Sequence, residues 1–146
     1  MTFSYEDLRK RAFKRAATAL FSFWEEQKDN HPREAAVHSR IFETLIYENY
    51  IELNQKHSDR KYREHVVPCA YIRDLAFDMF WEGKNIDDVA SMIERLLRIV
   101  YITNEQAEKL NAVHKSTMPS GWNPVSDSIL KRLEDAGIEV VDRKDT

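Results

Sequence analysis

Between Leu8 and Trp24 the apolar residues fall at Leu8, Ala12, Phe13, Ala16, Ala17, Leu20, Phe21 and Trp24, the three-and-four spacing of one helical face. No strand has that period, so the chain is predicted to open on a long helix over residues 5–28. Ser4 followed by Asp7 resembles a capping box with aspartate in place of the usual glutamate. Three glycines and four prolines in 146 residues are too few for a turn-rich sandwich, and 42% hydrophobic residues are too many for disorder. A chain of this length buries most of its surface in one core, so a single domain over residues 1–146 is expected. Its class is mainly α with a small β-hairpin.

A second long helix is predicted over residues 32–55, opened by Pro32 and carrying Val37, Ile41, Phe42, Leu45, Ile46, Tyr50 and Leu53. With the first it would make an N-terminal helical pair over residues 1–55. After a polar loop, residues 62–67 read as a short strand closed by Pro68. Helical spacing returns over 70–82, where Gly83 suits a left-handed cap, and again over 86–97, opened by Asn85 and Asp88. Residues 98–102 alternate and are β-branched, a second strand, and Thr103 is placed to cap a helix through Leu110 or beyond. The remainder, 113–146, reads as a loop rich in breakers, a helix opened by Ser126 or Asp127 and stopped by Gly137, and a third short strand over 138–141. Trp122 in that loop is expected to dock it onto the domain or to lie at an interface.

Charge narrows the partners. The formal net charge of −3 argues against coating nucleic acid by bulk electrostatics, which needs a basic surface. The densest basic patch is Arg9, Lys10, Arg11, Lys14 and Arg15, off the apolar stripe of the first helix and therefore expected as a solvated face. No apolar stretch approaches the roughly 20 residues of a membrane span. Residues 1–5 lack a basic start followed by an apolar signal core, and Cys69 is the only thiol, so a cytoplasmic setting without disulfides is expected.

The most informative segment is Arg63-Glu64-His65-Val66-Val67-Pro68. A carboxylate, a histidine, two aliphatic residues and a proline at the end of a short strand resemble the first half of the HNH, or His-Me finger, nuclease motif. In that family a second strand and a helix follow, forming a ββα-metal unit. Here the matching second half is the strand 98–102 with the helix after Thr103, so the resemblance implies such a unit over residues 62–112, with two inserted helices, embedded in a helical domain.

The resemblance implies a chemistry. Cutting a phosphodiester needs a base to activate water and a cation to stabilise charge on phosphate and leaving oxygen, and imidazole titrates near working pH. His65 is the expected base. Glu64 matches the acidic metal ligand, and the second ligand is expected from the following helix at Glu108, with Glu105 and Asn111 three residues away on the same face. Mg2+ or Mn2+ would suit such oxygen donors. Arg63, Arg11, Lys14 and Lys115 are the candidate contacts to nucleic acid, DNA before RNA. The structural alternative is a half-buried His65 with Glu64 on the opposite side of the strand, because strand neighbours alternate.

Two functions from different classes follow: a metal-dependent endonuclease of the HNH-like type, or a non-catalytic helical module that binds or inhibits a protein partner, as small phage-type proteins often do. A third is nucleic-acid binding through the basic first helix without cleavage. Among the other histidines, His31, His38 and His57 are expected to be structural or solvated, and His114 is placed where it could approach the site.

Overall fold

A computed structural model of the chain describes residues 2–29, 37–57 and 59–140. The chain forms two compact units, Met1–Tyr50 with Cys69–Arg95 and Ile51–Pro68 with Leu96–Thr146. The stretch 62–112 is thereby shared: its strands and last helix belong to the second unit, its two inserted helices to the first.

In the first unit, α1 (Tyr5–Gln27) starts where its cap predicts, Ser4 Oγ accepting from the Asp7 amide at 3.1 Å, with Glu6 and Asp7 favourably placed at the positive end of the helix. Ala12, Phe13, Ala16, Ala17 and Leu20 are buried along it. Those three alanines let α3 (Cys69–Trp81) pack against it through its own buried Ile72, Ala76, Phe77 and Phe80. Phe21 and Trp24 extend the contact, with ring centroids 5.1 and 5.9 Å from Phe80. Full burial of a side chain such as Phe80 contributes about 1.5–3 kcal/mol. Helix α3 stops at Gly83, whose φ of +86° only glycine adopts without strain. Helix α4 (Ile86–Leu96) follows a reciprocal cap, Asn85 Oδ1 accepting from the Asp88 amide at 2.8 Å and Asp88 Oδ2 from the Asn85 amide at 3.2 Å.

The basic patch on α1 is not a uniformly solvated face. Arg9 is buried, donating from Nε to the Tyr50 carbonyl at 3.0 Å and pairing through Nη1 with Glu94 at 3.1 Å. Arg15 donates to the Leu45 carbonyl at 3.0 Å. A cation on the core side of this helix is tolerated because its Nε and Nη1 are answered internally.

The second long helix is corrected. Residues 32–36 of that expectation lie outside the described residues; beyond them the chain forms only α2 (Ile41–Leu45) and a 3-10 turn at Glu48–Tyr50. Ile46 breaks the helix with an extended backbone, φ −127° and ψ 123°, and is itself buried. Farther on, the Ile51 carbonyl accepts from the Ile99 amide at 3.0 Å and the Leu53 amide donates to the Ile99 carbonyl at 2.9 Å. Main-chain groups that a helix would have used internally serve a sheet edge instead.

In the second unit, β1 (Tyr62–His65) and β2 (Ile99–Ile102) pair antiparallel in the register Tyr62 to Ile102, Arg63 to Tyr101, Glu64 to Val100 and His65 to Ile99. All four residues of β2 are buried. On the side of β2 away from β1, Asn54 brackets Tyr101, accepting from its amide at 2.7 Å and donating to its carbonyl at 3.0 Å. Helix α5 (Asn104–His114) follows β2 directly, and the expected cap is a full capping box: Thr103 Oγ1 accepts from the Gln106 amide at 3.1 Å and Gln106 Oε1 from the Thr103 amide at 3.0 Å. Thr103→Ala is expected to cost about 1 kcal/mol in urea denaturation; an unchanged midpoint would show that Gln106 alone holds the helix start.

The C-terminal expectations are also corrected. The last helix is α6 (Lys131–Asp135), because the residues expected to open it are engaged in a loop. Asn123 Oδ1 accepts from the Val125 and Ser126 amides, Asp127 Oδ2 from the Asn123 amide, and the Ser128 carbonyl from Trp122 Nε1 at 2.9 Å. Trp122 thus fastens its own loop. Residues 138–140 form no strand, and Val141 lies outside the described residues. No helix among the described residues is long and apolar enough to cross a membrane.

Candidate functional site

Alternation along β1 puts Arg63 and His65 on one face of the ribbon and Tyr62 and Glu64 on the other. Lys61, one place before the strand, extends the first face. The result is a stripe of Lys61, Arg63 and His65, with Lys61 exposed and the other two half-buried.

The Glu64 side is occupied by a residue that no sequence motif marks. Arg132 of α6, 1% exposed, reaches the Glu64 carboxylate with Nη2 at 3.3 Å. It also donates from Nη1 to the His65 carbonyl at 2.9 Å, and from Nη2 to the carbonyls of His114 and Lys115 at 2.9 and 3.0 Å. One guanidinium therefore ties the end of β1 to the end of α5. A fork of several donors matches carbonyls arriving from different directions, which a lysine cannot do. A second tie joins the same helices: His114 Nε2 lies 2.9 Å from Asp135 Oδ2, and Lys131 Nζ lies 3.0 Å from Asp135 Oδ1. Lys131 and then His114 hold the Asp135 carboxyl below its usual range.

Burial raises the Glu64 carboxyl above its ordinary 4.5, and the charge and hydrogen bond of Arg132 pull against that rise without cancelling it. The sign of the pH dependence follows. A carboxyl raised on folding contributes stability that is complete below pH 4.5 and is lost as pH rises through its folded value. Glu64→Gln is expected to flatten this part of a series of urea midpoints measured against pH; an unaltered slope would assign it to other groups.

The remaining expected site residues are placed as follows. Glu105, Glu108 and Asn111 all lie on the exposed side of α5, opposite the buried Ala107 and Leu110. Glu105 lines an open polar recess with Asp59, Lys61, Thr103 and Asn104. That recess adjoins Lys61, four residues or about 13 Å along the strand from His65. Among the described residues no group of three or more histidine, cysteine, aspartate or glutamate side chains gathers to hold a metal ion. Glu64 is committed to Arg132. Lys115 is exposed, its carbonyl taken by Arg132. In the other unit, Arg11 stacks 4.6 Å over the Phe3 ring and exposed Lys14 lies 3.6 Å from Asp87. Cys69 is half-buried at the start of α3.

Comparison of the chain with protein-family models, with curated proteins and with solved structures returns no match.

Proposed function

We propose that the chain is a nucleic-acid phosphodiesterase working through its second unit, with His65 as general base and Lys61 and Arg63 as phosphate contacts. The observation that carries this reading is the stripe of Lys61, Arg63 and His65 on one face of a strand whose partner leads straight into a capped helix. A base beside cations is what a phosphodiester requires: the cations hold the anionic backbone in place and the imidazole takes the proton from the attacking water. Arg132, by fixing the His65 carbonyl, holds the main chain from which the imidazole projects. Because Glu64 lies on the opposite side of β1 and is paired with Arg132, substrate phosphate oxygens and water would supply most ligands of Mg2+ or Mn2+, a common arrangement for magnesium.

The test is nicking of supercoiled plasmid and of single-stranded DNA and RNA in Mg2+ or Mn2+, with EDTA as control. Cleavage that EDTA stops is expected. Failure to cut any of these with either metal would overturn the reading.

A second reading, a non-catalytic module for a protein partner, is favoured by a specific observation in the first unit. Tyr5 and Tyr47, 52% and 67% exposed, both pack edge-on against Tyr50, at 5.4 and 5.5 Å. Exposed, mutually braced tyrosines are characteristic of protein interfaces.

A further inference from the structure

The face of β1 opposite the Lys61–Arg63–His65 stripe carries Tyr62, a large aromatic side chain that is 41% exposed. The local sequence interleaves charge and ring, Arg60-Lys61-Tyr62-Arg63, with Lys56 shortly before it. Lys56 Nζ lies 6.0 Å from the Tyr101 ring centroid, and Arg60 donates to the Tyr101 carbonyl at 3.5 Å on the side of β2 away from β1, so the cations left to the outer edge are Lys61 and Arg63. Among the described residues, β1 pairs with β2 alone and its other edge meets no strand.

Such an edge offers two kinds of contact on its two sides. Cations on one side suit phosphates; an exposed ring on the other suits the flat face of a base. In a duplex the base faces are stacked away inside the helix and only base edges are presented, so a ring of this kind has little to meet. In a single strand the bases are free to stack on it, whatever their sequence.

From this arrangement we propose that the protein binds single-stranded polynucleotide along the outer edge of β1, with phosphates against Lys61 and Arg63 and a base stacked on Tyr62. The inference deepens the nucleic-acid reading above and names its substrate class. The chemistry is shared by DNA and RNA single strands; preference between them would come from contacts to the sugar hydroxyl.

The test is fluorescence anisotropy with labelled oligothymidine, oligouridine and a short duplex, using the full chain in EDTA so that nothing is cut. Tighter binding of the single strands than of the duplex is expected. Tyr62→Ala should weaken single-strand binding on the order of tenfold, and Tyr62→Phe should restore it. Lys61→Gln should lower the salt slope of single-strand binding by roughly 0.7. Circular dichroism of each variant shows whether it has folded. Equal affinity for the duplex, or no loss in Tyr62→Ala when folded, overturns the inference. Plasmid nicking without single-strand preference would overturn it while leaving the phosphodiesterase reading intact; single-strand binding with no cleavage would uphold it and remove catalysis.

Discussion

Replacing Arg132 by methionine is expected to lower the stability of the protein by about 3–5 kcal/mol, the range for removing one partner of a buried ion pair. Methionine keeps much of the volume and the flexible stem, so the loss reads the charge and the donors. Glu64, 17% exposed, would be left with a desolvated negative charge, and the carbonyls of His65, His114 and Lys115 would each lose a donor. Unmade hydrogen bonds of buried groups cost more than made ones contribute. Urea denaturation measures the effect, and the double variant Arg132→Met with Glu64→Gln should recover part of it by removing the stranded charge. A single variant as stable as the parent would mean that the guanidinium is a passenger and that Leu133, the loop and the His114–Asp135 contact suffice to hold α6.

The second large effect concerns chemistry. His65→Ala is expected to reduce the rate of nicking by about 10²–10⁴-fold, the usual contribution of a general base, with little change in binding to oligonucleotide. Binding should survive because Lys61 and Arg63, rather than the imidazole, carry the phosphate contacts. The variant should also fold, since alanine keeps the carbonyl that Arg132 holds. Cleavage at the parent rate would show that the base lies elsewhere; loss of binding together with cleavage would show that His65 holds the substrate rather than activating water.

Much of the architecture was legible wherever local signals agreed. For α1, α3, α4 and α5 the apolar period, a capping side chain or a terminal glycine all pointed to the same boundaries, and local energetics suffice to set such helices. Residues 41–54 misled because Phe42 and Ile46 fit a helical stripe, yet their burial is achieved through a broken path whose main chain, at Ile51 and Leu53, turns to β2. That choice depends on a partner strand about fifty residues away, which no window of sequence contains. The short α6 failed for the opposite reason: Asn123, Asp127 and Ser128 found hydrogen bonds to one another and to Trp122 within the loop, competing with the helix they were expected to start.

The candidate site divides in the same way. The strand carrying Glu64 and His65, and the capped helix after the second strand, could be read from the chain. Arg132 could not, because nothing in Lys131-Arg132-Leu133 distinguishes an inward guanidinium from a solvated one. Its only forewarning is the carboxylate in β1, which any half-buried strand position would need to have answered by a cation. Nor could spacing show that Glu105, Glu108 and Asn111 share the outward side of their helix, since that depends on which face Ala107 and Leu110 turn inward.

The amide of Asn54, clasping both polar atoms of the Tyr101 main chain, has a consequence beyond local packing. A sheet margin with vacant donors and acceptors is a template on which further chains can polymerise. Here one side chain imitates an adjoining strand at Tyr101 while the main chain of Ile51 and Leu53 covers Ile99, so among the described residues the two-stranded ribbon is stopped from growing on that flank. On the opposite flank Arg132 occupies the His65 carbonyl, and Lys61 and Arg63 repel like-charged neighbours.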